Sequence, residues 1–582
     1  MKLKRVWALA LSAAMTVTAT ASITSTAGAA SAASAPAYPS STLPLITLTV
    51  GNGAPGDYSA TPDGKEIERL TGVKVQFVAE MNSDLPVLAA ANNLPDINVI
   101  MSGTLADVTP LVTSGQLLNM DSLLSNYGQT FLNNMPLAMK WSKTVAGSGK
   151  GTYIIPNTVS TLDTKNPAPN AFKGWGIRTD IYRAIGSPIC NNPAQFLDVL
   201  QKMQAYAQDN SSKYSSTKGK KIYAMSGWMD WGLWPFIYPY EESYNYSVGN
   251  DNTFINNATG EIQNAFLDTN GIFWEALAWY NKAYQMGILD PNCVIQNASQ
   301  MGDKIVNGLV LANGYVAAGG WQPNPAIFGD TAIVALLPNA FPYIPAGVYP
   351  QSSPFGYQCG NAMAISSYCK NPERAMQFLN YLNTQDGVRV VKNGIYGTDW
   401  NVVNGIPQII GQRLSLLKTG TNVAYDTQQG IGGLFLLGSN GGCIKTTDGY
   451  PADLTQSAAF QSDNATPAYK AYAKSYYTNL SYPGQVYDTW LKTGKSKMAG
   501  DPPLAVALMG VNSDTTEKAE ANANQYVTAN ISKVVLAKND DAFNSAKAKI
   551  ISDLNAMGLA KADAEVNQSY ANAQTLAKTF AK

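Results

Sequence analysis

The early part of the chain alternates short apolar strands with helices, and this alternation constrains the fold more than any other feature. Strands are predicted at residues 45–50, 73–79 and 97–101, with a helix at 63–70 that Gly72 ends. An apolar strand that follows a helix packs beside the preceding strand in the same direction, because the helix carries the chain back along the sheet. The sequence therefore predicts an α/β protein with a parallel sheet.

Later segments repeat this mixture of helices and strands. Asn192-Pro193 is a typical helix start, because asparagine caps a helix and proline fits its first turn. Apolar residues then recur at helical spacing from 196 to 206, and Asn371-Pro372 begins another helix in the same way. The other predicted elements are helices at 105–118, 120–127 and 272–286, strands at 315–320 and 331–338, and a mostly helical region from about 466 onward.

The N-terminal residues have the pattern of an export signal. Lys2, Lys4 and Arg5 precede an apolar run at 6–17, and small residues suited to cleavage follow it. Residues 1–35 are therefore predicted to be a signal peptide, because this apolar run is too short to span a bilayer. No later run reaches transmembrane length, and no cysteine lies near the cleavage region. We expect an exported, soluble protein without a lipid anchor, which is extracellular, cell-wall-associated or periplasmic.

The composition excludes several functions. The 582 residues contain no histidine, which removes histidine nucleophile systems, histidine general bases and histidine-ligated metal centres. Basic and acidic residues number 40 each, so we expect no basic surface for nucleic acid. Catalysis by two carboxylates stays possible, since glycoside hydrolysis needs no histidine. We expect no cofactor.

The cysteines number 5, and their spacing matches no metal site. An odd number leaves at least one thiol unpaired. Cys359 and Cys369 could pair across a hairpin, with free thiols as the alternative.

The segment GWMDWGLWPFIYPY at 227–240 concentrates aromatic residues. Trp228, Trp231 and Trp234 recur every three residues, which on a helix would form a drifting stripe. The stripe is either a core wedge or the wall of a groove for a flat, partly apolar, hydroxyl-rich ligand. The neighbouring Asp230 and the flanking glycines favour the groove, because sugar rings lay C–H faces on aromatic rings and hydroxyl edges on polar groups.

Six segments, taken in order, carry a resemblance to a known family. They are LPDINVI at 94–100, PLVTSGQLLNMD at 110–121, KGTYIIP at 150–156, WGIRTDIYRAIG at 175–186, the stretch from VAAGGW to LLP at 316–338, and the stretch containing NPERA at 360–387. Over nearly the whole chain after the signal they are similar to the bacterial extracellular solute-binding proteins of family 1, the sugar receptors of ABC importers. The length resembles that of the larger oligosaccharide receptors.

The resemblance implies a type II, maltose-receptor-like fold of two α/β lobes that close by hinge motion over a ligand in the cleft. It assigns 42–158 and 346–395 to lobe 1, and 159–345 to lobe 2. It assigns 396–582 to the return into lobe 2 and an extended helical C-terminal region.

The chain departs from the family in three places. The lipid-anchoring cysteine of most Gram-positive members is missing. The segment 209–221, where some long members have an aspartate-rich calcium loop, holds one acid, so we expect no metal there. Tyr396 stands where the family usually has a glutamate.

The resemblance also implies which second-lobe residues contact the ligand. Trp231 and Asp230 are expected to face it, with Trp228 beside them, and Trp321 is expected to be a stacking platform. The candidates Trp400 and Tyr396 lie on a glycine-bounded loop, and Arg178 is a candidate polar contact. Their alternatives are a core wedge for the Trp segment, a strand-edge cap for Trp321 and a structural ion pair for Arg178.

The first-lobe wall is predicted from loops that follow the parallel strands, where α/β sheets bind ligands. Asn52, Asp57 and Tyr58 follow the first strand, and Ser102 and Thr104 follow the third. Ordinary turn chemistry is the alternative for each of them.

The predicted function is therefore the substrate-binding component of an ABC importer. It would bind an oligosaccharide as a monomer, without catalysis, and deliver it to permease subunits in the membrane. One alternative is a secreted carbohydrate-active enzyme, for which Glu241, Glu242 and Asp448 are the acids on offer. A second alternative is a wall-associated adhesion protein, for which the C-terminal residues show no anchoring motif.

Overall fold

The computed structural model describes residues 40–580 apart from 54, 80, 102–104, 158–173, 235–236, 249–251, 315–320, 330–333, 337–339, 345–360, 420–421, 439–445 and 501. The predicted signal peptide, the strand predicted at 315–320, and Ser102 and Thr104 lie outside the described residues.

The strands are β1 Ile46–Gly51, β2 Gly56–Asp57, β3 Val73–Ala79, β4 Ile97–Met101, β5 Ile155–Pro156, β6 Gly176–Arg178, β7 Tyr223–Met225, β8 Tyr246–Val248, β9 Thr253–Asn256, β10 Ile262–Asn264, β11 Val310–Asn313, β12 Val334–Leu336, β13 Tyr343–Ile344, β14 Asn361–Ile365, β15 Trp400–Val403, β16 Ile406–Ile409 and β17 Lys497–Met498.

The α-helices are α1 Pro62–Thr71, α2 Met81–Ala90, α3 Leu105–Thr113, α4 Asp121–Tyr127, α5 Gln129–Asn134, α6 Pro136–Trp141, α7 Thr179–Ala184, α8 Pro193–Asp209, α9 Tyr238–Glu242, α10 Ile272–Gln285, α11 Ala298–Val306, α12 Pro325–Phe328, α13 Pro372–Leu382, α14 Gln385–Asn393, α15 Gly411–Thr419, α16 Asn422–Gln429, α17 Ala458–Asp463, α18 Pro467–Tyr476, α19 Pro483–Lys492, α20 Leu504–Ala507, α21 Asp514–Val535, α22 Asp540–Ala556 and α23 Leu559–Phe580.

The first unit is built on a six-stranded sheet of order β2-β3-β1-β4-β14-β5. Strand β1 pairs parallel with β3 and β4, and β14 pairs antiparallel with β4. Helix α1 begins where Thr61 accepts a hydrogen bond from the N–H of Gly64, and it ends at Gly72 with φ of 67°. The predicted parallel α/β arrangement is therefore confirmed in this unit.

The second unit is built on a four-stranded sheet of order β12-β6-β11-β7. Strands β11 and β7 are parallel, whereas β6 is antiparallel to β11 and β12. One cluster of buried side chains joins this sheet to α8 and α10, and a second joins it to α11, α18 and α19. The predicted cap of α8 is present, with Asn192 accepting from the N–H of Gln195, but Tyr206 at the end of its apolar face is 37% exposed.

Two connections link the units. Strand β13 pairs parallel with β17. In sequence, β13 lies between the second sheet and β14 of the first, and β17 leads to α20. The side chains of α20 are buried with Trp141 and Ile100 of the first unit.

The C-terminal helices contact both units. Helix α21 packs on α10, and its Val527 and Ile531 are buried in the second-unit core. Helix α23 places Val566, Tyr570 and Phe580 in a cluster with Trp141 of the first unit. The helical C-terminal region is therefore confirmed, and it spans the two units.

The predicted return to lobe 2 at residue 396 differs from the packing. Leu434, Leu436 and Leu437 are buried in the core of the first sheet. The hydroxyl of Tyr58 donates to the carbonyl of Gly430 at 3.0 Å. The chain through residue 437 therefore packs on the first unit.

Two further expectations concerned a disulfide bond and membrane-spanning helices. Cys369 is a buried free thiol, and Cys359, its expected disulfide partner, lies outside the described residues. Among the residues that the structure describes, no helix is long and apolar enough to cross a bilayer.

Candidate functional site

The candidate site begins where two parallel strands of the second sheet end. The tryptophan segment follows β7, and Trp321 follows β11. Because β7 and β11 are parallel, their carboxyl ends lie at the same edge, where ligands bind in α/β sheets. The segment is not a helical stripe, since residues 230–234 form a turn and the next helix begins at Tyr238.

A hydrogen-bond network fixes the start of the tryptophan segment. The side-chain amide of Gln296 donates to the Ser226 hydroxyl at 2.7 Å and to the Gly227 carbonyl at 2.5 Å. Ser226 donates in turn to buried Asp290, which forms an ion pair with Lys304 at 2.5 Å. The chain therefore leaves β7 in one conformation, and this conformation determines where the tryptophans lie.

Three tryptophans come together at this edge. The Trp228 ring is fully buried and has edge contacts with Trp231 at 5.6 Å and Trp321 at 5.2 Å between ring centroids. Trp231 and Trp321 are half-buried. Trp228, which we expected beside the ligand-facing residues, therefore presents no surface to a ligand in this structure and instead supports two rings that do have exposed surface.

Gly302 on α11 makes room for Trp321. A Cβ atom at position 302 would lie 2.6 Å from the indole Nε1 and 2.7 Å from Cε2 of Trp321. The indole therefore lies directly against the helix backbone, which only a glycine permits at this distance. Sequence reasoning missed Gly302, although a glycine inside an amphipathic helix is a known sign of close approach.

Asp230 is exposed at the same edge and joins the segment to α11. One of its carboxylate oxygens accepts a hydrogen bond from the N–H of Ala298 at 3.0 Å. Partial desolvation raises the pKa of the Asp230 carboxyl, and this backbone hydrogen bond opposes the rise. Asp230 directly precedes Trp231 in the chain, and its exposed carboxylate can accept a hydrogen bond.

The first-unit candidates differ in accessibility. Asn52 is half-buried and donates to the Gly433 carbonyl at 3.1 Å, while exposed Asp57 forms an ion pair with Lys74 at 3.2 Å. Tyr58 is 5% exposed, and its hydroxyl oxygen lies 2.8 Å from a carboxyl oxygen of buried Asp63. The structure therefore gives Tyr58 a structural role in place of the expected ligand contact.

Burial makes Asp63 an unusual carboxyl. It is fully buried, and one of its oxygens has no hydrogen-bond partner among the described atoms. Burial raises its pKa to about 8, although the hydrogen bond from Tyr58 opposes the rise. Burial of Asp63 therefore favours its protonated form in the folded protein.

Three further candidates have structural contacts. Trp400 is fully buried, donates to the Gly394 carbonyl at 3.0 Å and packs on Arg389, so it belongs to a small core and not to an accessible wall. Tyr396 is half-buried and packs edge-on against Trp400 at 4.9 Å. Arg178 is buried, pairs with Asp180 at 2.5 Å and lies over the Phe328 ring.

The acidic residues considered for a carbohydrate-active enzyme do not form an accessible pair of carboxylates. Glu241 is fully buried, and burial raises its pKa well above the ordinary value. Asp448 forms an ion pair with Arg389 at 2.6 Å. These carboxylates therefore do not form the open pair that glycoside hydrolysis requires.

Hydrogen bonds close the loop at 209–221. Thr217 is buried, and its hydroxyl donates to the Ser211 carbonyl at 2.7 Å. The Gln208 side chain donates to the Lys220 carbonyl and accepts from the N–H of Ile222. Within the described part of the chain, no cluster of three or more acidic or cysteine side chains is placed to hold a metal ion.

The fold, two α/β units that each have their own sheet and are linked by the paired strands β13 and β17, is shared with solved two-lobed solute-binding proteins. Solved structures with this fold include the alginate-binding protein AlgQ2 without calcium ion, 16% identical with a TM-score of 0.57 over 91% of this chain and 98% of that one. An HMO-binding, ABC-transporter-associated protein from Bifidobacterium longum infantis is 14% identical, with a TM-score of 0.57 over 91% and 99%.

The substrate-binding protein FusA from S. pneumoniae, solved as an EF-hand mutant with fructo-nystose, is 15% identical, with a TM-score of 0.57 over 91% and 100%. No family model matches the sequence, and no curated protein matches it. At these identities the similarity establishes the fold, so the predicted fold class is confirmed.

Proposed function

We propose that the chain is the substrate-binding component of an ABC importer and binds an oligosaccharide between its two lobes. The observation that carries this proposal is the pair of half-buried rings, Trp231 and Trp321, which Trp228 supports at the carboxyl edge of the second sheet. Aromatic faces of this kind bind the C–H faces of sugar rings, and the exposed carboxylate of Asp230 suits hydroxyl edges. Proteins of the same fold carry names that specify alginate and HMO binding.

In this proposal the protein acts outside the cytoplasmic membrane as a monomer and without catalysis. Hinge closure brings the first-lobe loops at Asn52 and Asp57 toward the bound sugar, and the closed form docks on the permease. The ligand leaves chemically unchanged.

The test is a titration of the mature protein with neutral and acidic oligosaccharides, in which tryptophan fluorescence reports binding. Mass spectrometry of each sugar before and after shows whether the sugar stays intact. Trp231→Ala and Trp321→Ala should each weaken binding at least about tenfold, because each removes a stacking face. Tyr368→Ala, which removes a 45%-exposed ring from the first unit, is the matched control. Shortened sugar would contradict the proposal, as would equal binding by all three variants.

A further inference from the structure

A cavity lies beside the segments that connect the two units. It has a volume of about 440 Å³ and is lined by Tyr244, Phe341, Asn191, Asn192 and Lys495, with two prolines. Phe341 lies two residues before β13 and Lys495 two residues before β17, the paired strands of the two connections. The volume is in the range of small-molecule sites, roughly 300–1,000 Å³.

The floor of this cavity is aromatic and well supported. Phe341 stacks on buried Trp175 at 5.9 Å between centroids, with an interplanar angle of 17°. Tyr244 meets Phe341 edge-on at 6.2 Å and stacks on buried Tyr240 at 5.1 Å. These rings pack on the α8 and α10 face of the second sheet, whereas Trp321 packs on the α11 face. The cavity is therefore distinct from the tryptophan cluster.

The polar rim supplies hydrogen-bond donors. Asn192 uses its side-chain oxygen to accept from the N–H of Gln195 at 2.9 Å, which leaves its NH₂ group to donate. The ammonium of Lys495 lies 5.3 Å from the centroid of the Tyr477 ring, and the residues that line the cavity include no carboxylate. Glu275, the acid near the floor, accepts from the Tyr240 hydroxyl. Lys495 is the one charged side chain in the cavity lining, and a rim of one ammonium and amide donors suits an anionic group.

We propose that this cavity binds a pyranose ring that bears a carboxylate. The C–H face of the ring lies on Phe341 and Tyr244, and the carboxylate accepts from Lys495 and Asn192. The proposal concerns a second site and goes beyond the proposed function, because it requires neither closure nor the tryptophan cluster.

The test uses methyl glucuronoside as the probe for the full mature protein, by calorimetry and saturation-transfer NMR. Its matched neutral probe is methyl glucoside, which has CH₂OH in place of the carboxylate. Lys495→Gln should weaken glucuronoside binding about tenfold, because it removes a charge-assisted hydrogen bond. Lys492→Gln, which removes an exposed lysine paired with Asp488, should leave it unchanged. Phe341→Leu should also weaken binding, and Lys495→Gln carries the test if that variant does not fold.

Four outcomes would overturn the proposal: no binding, equal binding by Lys495→Gln, equal binding of glucoside, or equal competition by inorganic phosphate. A parallel titration of Trp231→Ala with oligosaccharide distinguishes a failure of this proposal from a failure of the proposed function. A protein that loses oligosaccharide binding but keeps Lys495-dependent glucuronoside binding would support both proposals.

Discussion

At the scale of single residues, the candidate site depends on what lies beneath the exposed rings. Trp228 contacts both Trp231 and Trp321 by its buried ring. Gly302 lets the Trp321 indole lie on α11. Neither residue has surface for a ligand, yet both determine where the stacking faces lie.

Gly302→Ala should displace the Trp321 indole, because the added Cβ cannot stay 2.6 Å from Nε1. We expect oligosaccharide binding to weaken several-fold and the near-ultraviolet circular dichroism to change. Helix stability should not fall for intrinsic reasons, since alanine is favoured over glycine in a helix by about 1 kcal/mol. Ser299→Ala, on the exposed part of the same helix, is the control; unchanged binding by Gly302→Ala would show that the ring position is irrelevant.

Asp63 should make stability depend on pH. Its folded pKa of about 8 lies above the ordinary 3.8, so the folded protein holds a proton that the unfolded chain has lost. This contribution is fully present below about pH 4 and is lost as pH rises to about 8, by at most about 1.4 kcal/mol per unit. Because the chain has no histidine, no imidazole contributes to the dependence in this range.

Urea unfolding at pH 5 and pH 7 tests this. Asp63→Asn should flatten the dependence, and Glu241→Gln should flatten it further because burial also raises the Glu241 pKa. Asp57→Asn, at an exposed carboxylate, is the control. An unchanged slope in Asp63→Asn would mean that Asp63 is ionised in the folded protein.

At the scale of elements, local signals in the sequence predicted the regular structure well. The Asn-Pro starts of α8 and α13, and the glycine after α1, are confirmed, because such signals act within one turn. The Asn192 side chain caps α8, whereas Asn371 makes no side-chain capping hydrogen bond at α13. The conformation of the tryptophan segment was harder to predict, because its start is fixed by a long-range contact. Gln296, which donates to Ser226, lies 70 residues away along the chain. The packing of residues 430–437 on the first unit was not predicted, because their contacts, such as Gly430 with Tyr58, join residues 372 apart.

The same distinction applies to the candidate site residues. Sequence analysis selected Trp231, Trp321 and Asp230 as candidates, and the structure places them at one edge of the second sheet. It could not show that Trp400 is buried, because this depends on packing with Arg389 and Tyr396. Composition alone does not separate an exposed ring from a core ring.

The loop at 209–221 should be stable without calcium. Thr217→Val removes the buried hydroxyl that donates to the Ser211 carbonyl and should cost about 1 kcal/mol, because the protein loses one part-buried hydrogen bond. Ser215→Ala, at an exposed position, is the control. Calcium and chelator should leave the melting temperature of the wild type unchanged; a calcium-dependent increase would reveal a metal site in this protein.

At the scale of the whole molecule, α23 joins the end of the chain to the first unit. Phe580 is 4% exposed, and the Lys140 ammonium lies 4.8 Å from the centroid of its ring. Lys140 also donates to the Phe580 carbonyl at 2.5 Å. The last helix therefore couples two units that the crossing strands also connect.

Phe580→Ala should destabilise the protein by about 3 kcal/mol, as expected for a buried phenylalanine. We expect calorimetry to show one unfolding transition for the wild type and a broader or split transition for this variant, because the units lose a shared contact. Leu576→Ala, which changes a 44%-exposed side chain on the same helix, is the control. An equal effect of both variants would exclude a specific role for Phe580.

The position of α23 on the first unit has a consequence for affinity. Under the proposed hinge closure, the observed affinity is the intrinsic affinity of the closed form reduced by the work of reaching it. Contacts of α23 with the first unit that change on closing contribute to that work. Substitutions at these α23 contacts, which lie away from the tryptophans, would therefore change the dissociation constant. They would leave unchanged the selectivity that we propose the tryptophans set.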